Sequence, residues 1–149
     1  MSPPTPYLFA YGSLRVRSRR AVDHVLDRGA ERLGPASIPG RLYLIHHYPG
    51  LVPGDHPGER VHGELFRLRD PLRSLRVLDA YEGLLPPTKT WPDLFVRRVM
   101  AVRAEAGSTL EAWVYVYNFP VSGRPRIASG DFLHYRRGAG RKARGPAGW

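Results

Sequence analysis

Period-two alternation constrains this chain more than any other feature. Val61 to Leu68, Phe95 to Arg103 and Glu111 to Asn118 each alternate apolar with polar residues, and a turn around Gly107 joins the last two. Such alternation sends successive side chains to opposite faces, so each stretch reads as a strand and the last two as an antiparallel hairpin. In the first, Val61, Gly63 and Leu65 share one face and His62, Glu64 and Phe66 the other. Tyr7 to Tyr11, ended by Gly12-Ser13, and the run Leu42, Leu44, His46-His47 bring the count to about five strands.

Helical spacing is confined to three short segments. Residues 18 to 28 carry Val22, Val25 and Leu26 on one stripe, with Ser18 as cap and Gly29 as the terminating glycine. Asp70 suits an N-cap and Pro71 the first helical position, and Leu72, Leu75 and Leu78 share a face until Tyr81-Glu82-Gly83. Ser129-Gly130-Asp131 offers caps for a helix through Phe132, Leu133 and Tyr135. Gly34, Pro39 and Gly40 punctuate a loop, Pro49 to Gly58 reads as a surface loop and candidate lid, and residues 84 to 94 form a proline-rich loop. There are too few alternating β-α units for a doubly wound sheet. The expected fold is α+β, a mixed or antiparallel sheet curled into a small barrel flanked by short helices.

At 149 residues the chain suits one domain, expected over residues 5–137, followed by a basic tail, 138–149, of disordered composition. The absence of cysteine excludes disulfides and thiolate metal sites, and fits a reducing compartment, the cytoplasm. Neither a leader-like N-terminus nor an apolar run of roughly 18 residues is present, so no membrane association is expected. The net charge of +10 favours anionic partners, but much of it sits in Arg136, Arg137, Arg141, Lys142 and Arg144, and more in Arg15, Arg17, Arg19 and Arg20. No continuous basic stripe results, and nucleic acid is expected to bind at most weakly through the tail.

Glu82 is the most unusual residue. At about 100° per residue it projects between Leu75 and Leu78, into the apolar stripe of its helix. Desolvation and the negative end of the helix dipole would both raise its pKa, as a general base and acid requires. Alternatively the helix frays at Tyr81 and the carboxylate is simply solvated. Asp79, at the edge of the same stripe, suits a structural role, paired with an arginine or capping a neighbouring loop. Tyr11-Gly12-Ser13-Leu14 is a strand ending in glycine, where backbone N–H groups can turn into a cavity and hold an anion; it also suits a plain connection.

The six histidines have no metal-ligand spacing, and adjacent His46 and His47 on a strand would face opposite ways, so no metal or cofactor is expected. Ser13 lacks a nucleophile elbow. Trp113, Tyr115 and Tyr117 share one strand face, as a stacking platform or, more simply, as barrel lining, with Tyr117 nearest the rim.

In order, Tyr11-Gly12-Ser13-Leu14, Tyr48-Pro49-Gly50, Val61-His62-Gly63-Glu64-Leu65, Leu78-Asp79-Ala80-Tyr81-Glu82-Gly83, Phe95-Val96-Arg97 and Val114-Tyr115-Val116-Tyr117 resemble the γ-glutamylcyclotransferase-like family, in its AIG2-like branch. Ser129-Gly130-Asp131 resembles its C-terminal motif, and Phe95 departs from the aromatic hydroxyl common at that position. The resemblance implies a small β-barrel flanked by helices, with a cavity mouth lined by the Tyr11-to-Leu14 loop and the glutamate. It implies Glu82 as catalytic acid/base, Tyr11, Gly12, Ser13 and Leu14 as binders of the substrate's glutamyl end, chiefly through backbone, and Tyr117 as a hydroxyl contact. The implied partner is a small γ-glutamyl compound, cyclised to 5-oxoproline with release of its amine. A non-catalytic module of the same fold, holding an anionic ligand or RNA, is the competing expectation.

Overall fold

A computed structural model of the chain describes residues 5–12, 28–46, 48–81 and 94–139. Among these are seven strands: β1 (Tyr7–Ala10), β2 (Ala30–Leu44), β3 (Pro49–Pro53), β4 (Arg60–Leu68), β5 (Phe95–Ala104), β6 (Thr109–Tyr117) and β7 (Arg126–Ile127). Two helices accompany them, α1 (Pro71–Tyr81) and α2 (Phe132–Ala139). The helix expected over residues 18 to 28 lies almost wholly outside the described residues.

Hydrogen bonding runs β2-β4-β1-β6-β5, and β5 returns to β2 through Ala36↔Ala104 and Ser37↔Arg103. Five strands therefore close a ring, the expected small barrel, and β3 and β7 both attach to the far half of β2. The sheet is mixed because β1 and β6 are parallel, at Leu8↔Trp113, while the other pairs are antiparallel. As alternation predicts, β5 and β6 pair over nine positions from Phe95↔Tyr117 to Arg103↔Thr109, and Gly107, at φ +100°, makes the turn.

Alternation gives the barrel two apolar layers. Phe9, Tyr11, Ile38, Val61, Leu65, Val102, Val114 and Val116 fill the interior, which Phe132 of α2 helps to close. The opposite side chains, among them Leu8, Ala10, Phe66, Leu68, Phe95, Tyr115 and Tyr117, form an outer layer with Leu75 and Leu78 of α1. Trp113, Tyr115 and Tyr117 thus line the outside of the barrel beneath a helix. The second face of β4 is likewise covered: Glu64 is 6% exposed and pairs with Arg32 at 2.8 Å.

Three expectations are corrected. Gly34 to Gly40 is no loop, because β2 runs straight through it; the register shifts between Arg32 and Gly34, a bulge that lets one long strand bend around the barrel. Pro49 to Gly58 is not a lid over its first half, because β3 pairs with β2 from Gly40↔Pro53 to Leu44↔Pro49 and Leu51 is fully buried. β2 ends at Leu44, so His46 lies beyond the strand, on the surface.

Helix α1 begins as its sequence requires. The Asp70 carboxylate accepts from the Arg73 amide at 3.4 Å and its carbonyl from the Ser74 amide at 2.9 Å. Its apolar stripe is narrower than expected, because residues three apart slip about 60° per step. Leu75 and Leu78 are buried, each contributing about 1.5–3 kcal/mol, while Leu72 is 59% exposed. Helix α2 is capped by Asp131, which accepts from the His134 amide at 3.2 Å. It continues to Ala139, two residues into the expected tail; residues 140–149 lie outside the described residues.

Candidate active site at the open edge of the barrel

The parallel register of β1 and β6 organises the outer layer into rows. Leu8 faces Trp113 in the parallel pairing, and Leu8 and Ala10 of β1 share the outer layer with Tyr115 and Tyr117 of β6. Across β5 the same rows continue as Arg97 opposite Tyr115 and Phe95 opposite Tyr117. Helix α1 leaves β4 at Leu68, whose amide donates to the Pro6 carbonyl. It has risen to the Tyr115 row by Asp79, so it travels in the same sense as β1. Beyond Asp79 the helix runs two residues further, to Tyr81.

That helix end is anchored by an ionic and hydrogen-bonded lock. Arg97 donates to both Asp79 oxygens, from Nε at 2.8 Å and Nη2 at 3.0 Å, and the Tyr115 hydroxyl donates to Oδ1 at 2.6 Å. The Arg97 guanidinium also lies 4.2 Å over the Trp113 ring, whose Nε1 donates to the Thr5 carbonyl. Asp79 therefore takes the structural role its position suggests. Planar, bidentate Arg–carboxylate geometry fixes orientation as well as distance.

Tyr117 sits at the edge of this layer, only 7% exposed. Its ring meets Phe95 edge-on at 5.7 Å and Phe119 at 6.1 Å, and Tyr48 meets Phe95 at 6.0 Å. The Tyr117 hydroxyl has no hydrogen-bond partner among the described residues. A buried hydroxyl without a protein partner is uncommon and suits a group that bonds a ligand or water. Gly50 lies against it: a Cβ there would stand 3.0 Å from the Tyr117 Cβ and 2.9 Å from Ile45 Cγ1. Only glycine lets β3 pass this close, which gives the Tyr48-Pro49-Gly50 piece its physical sense. The sequence reading overlooked β3 as a wall of this edge.

The Tyr11 side chain points the other way. Buried in the barrel interior, its hydroxyl donates to the Tyr115 carbonyl and accepts from the Leu51 amide at 3.3 Å, tying β1 to β6 and β3. Any part Tyr11 takes at the outer edge would therefore fall to its backbone. Gly12 is buried where β1 ends. Ser13, Leu14 and Glu82 lie outside the described residues. No group of three or more histidine, aspartate or glutamate side chains is placed to hold a metal among the described residues, and no helix among them is long and apolar enough to cross a membrane.

A closed five-stranded mixed barrel with one helix laid over its parallel seam is a recognised architecture, and comparison assigns it. The family model "Gamma-glutamyl cyclotransferase, AIG2-like" matches residues 8–134, so the chain belongs to the AIG2-like γ-glutamylcyclotransferase family. It is 37% identical over 127 residues, 85% of this chain and 95% of the relative, to the γ-glutamylcyclotransferase family protein YtfP of Escherichia coli K12. It is 30% identical over 119 residues to the γ-glutamylaminecyclotransferase of Bos taurus, covering 72% of this chain and 63% of that protein. Among solved structures, the solution structure of E. coli ytfP superposes with a TM-score of 0.58 at 35% identity, over 87% of this chain and 97% of that one. A mouse AIG2-like protein shares the fold at a TM-score of 0.61 and 23% identity, over 83% of this chain and 86% of that one.

Proposed function

We propose that this protein cyclises a γ-glutamyl amide or peptide to 5-oxoproline, releasing the amine, with Glu82 as the proton carrier. The observation that carries the reading is the buried Tyr117, whose hydroxyl has no hydrogen-bond partner among the described residues, at the edge of the outer layer that Leu75 and Leu78 of α1 cover. In sequence, Glu82 directly follows the last residue of α1, about 3.8 Å along the chain from Tyr81.

The substrate brings its own nucleophile. Its α-amine nitrogen attacks the γ-carbonyl carbon, a five-membered ring forms, and the amide C–N bond breaks. Glu82 takes the proton from the α-amine and returns it to the departing nitrogen, so a single carboxylate serves as base and then acid. The backbone N–H groups of Gly12, Ser13 and Leu14 hold the glutamyl end and the oxyanion, and the Tyr117 hydroxyl bonds the same group. Ring closure is intramolecular, so effective concentrations of order 10⁵ M supply much of the rate once the site fixes the rotamer. The Bos taurus relative makes γ-glutamyl amines the first leaving-group class to try.

The test is 5-oxoproline release from a panel of γ-glutamyl amines and peptides, each with a free and with an N-acetylated α-amine. Turnover of at least one free-amine compound and of none of the acetylated ones is expected. Absence of 5-oxoproline from every free-amine compound, or equal turnover of acetylated forms, would refute the reaction.

A further inference from the structure

A concave site lies elsewhere on the barrel, with neither Gly12 nor Tyr117 in its lining. Its volume is about 250 Å³, and Arg41, Glu59, Arg60, His62, Arg126 and Ser129 contribute to its wall. It forms where the far half of β2, the start of β4, β7 and the turn after β7 converge. That turn is held rigidly: the His62 amide donates to the Gly130 carbonyl at 2.8 Å, and the Gly130 amide to the Ile127 carbonyl at 2.9 Å.

The charges in this cleft do not balance. Glu59 is shared by two guanidiniums, Arg41 at 2.9 Å and Arg126 at 2.8 Å. Arg60 has neutral acceptors instead, its Nε donating to Ser37 Oγ at 2.8 Å and its Nη2 to the Ser37 carbonyl at 3.1 Å. No carboxylate pairs with Arg60 among the described residues, and burial together with the nearby Arg103 cation pulls its pKa below the ordinary arginine value. A cation held by a fixed serine next to another cation lacks a counter-charge. Three guanidiniums against one carboxylate leave a surplus of two positive charges in a space too small for a drug-sized ligand.

We infer that this cleft binds a compact doubly charged oxyanion, which would be held by the N–H groups that Arg60 does not spend on Ser37 and Arg126 does not spend on Glu59. Phosphate monoesters and small dicarboxylates share that chemistry. The inference is independent of the reaction at the other edge.

The test is calorimetric titration of the full chain at constant ionic strength with inorganic phosphate in one arm and succinate in the other. Saturable one-to-one binding in at least one arm is expected, and the tighter arm identifies the source of the oxyanion. Arg60→Gln and Arg126→Gln should each weaken it about tenfold, since a charge-assisted bond is worth that much. Arg98→Gln removes the same charge from an exposed position on β5 and should leave binding unchanged. Arg126, 40% exposed, is the variant least able to disturb folding. Absence of saturation in both arms, or equal weakening by Arg126→Gln and Arg98→Gln, would overturn the site.

Discussion

Gly130 shows how a motif residue can be legible while its reason is not. The sequence marks Ser129-Gly130-Asp131 as a cap, and Asp131 does cap α2. Gly130, however, adopts φ +70°, and a Cβ there would fall 1.9 Å from the Arg60 carbonyl oxygen of β4. No local pattern reveals that approach, because β4 lies some seventy residues earlier in the chain. Gly130→Ala should therefore destabilise the fold by about 2–3 kcal/mol, from left-handed strain and the shift needed to clear the carbonyl, as read by urea unfolding. Tyr11 teaches the same lesson. Its motif pointed to the substrate, while its hydroxyl serves the barrel interior, and Tyr11→Phe should lower stability by about 1–2 kcal/mol by leaving the Leu51 amide without its acceptor.

Among the elements, alternation and capping made β4, β5, β6, α1 and α2 readable, because each obeys a local period. Leu42 and Leu44 at the end of β2 read as strand, while the first two-thirds of β2, and β3, were hidden by their glycines and prolines. In a small barrel those residues bend strands and admit close neighbours, so the signals that normally end a strand are here part of one. The lock between α1 and the β5–β6 hairpin was half visible: Asp79 suggested an arginine partner, but Arg97 and Tyr115 could be chosen only once β5 and β6 were in register. Tyr115→Phe removes the hydroxyl bond to Asp79 and keeps the ring. It should cost about 1 kcal/mol and speed amide hydrogen exchange selectively in the last turn of α1. Exchange unchanged in that turn would mean that the lock does not hold the helix end.

For the whole molecule, closure of β5 onto β2 could not be read from the sequence, since the short Ala36–Ser37 contact joins strands nearly seventy residues apart. Charge acts at this scale too. Glu59 bridges Arg41 on β2 and Arg126 on β7, and the Arg41 partner above all holds its carboxyl below the ordinary glutamate value. A depressed carboxylate pKa stabilises the folded state above the unfolded value and ceases to do so as pH falls through the folded one. Wild type should therefore exceed Glu59→Gln in urea midpoint near neutral pH, and the difference should vanish in acid below the usual glutamate range. Exposure to solvent keeps the effect small.

The proposed reaction depends on one carboxylate, Glu82. Its test is to measure 5-oxoproline release and substrate binding side by side for wild type and Glu82→Gln, using whichever γ-glutamyl compound the wild type turns over. A fall in kcat of at least about a hundredfold, the scale of a lost general acid–base, with binding and thermal unfolding preserved, is the expected result. Equal turnover by the two proteins would contradict it.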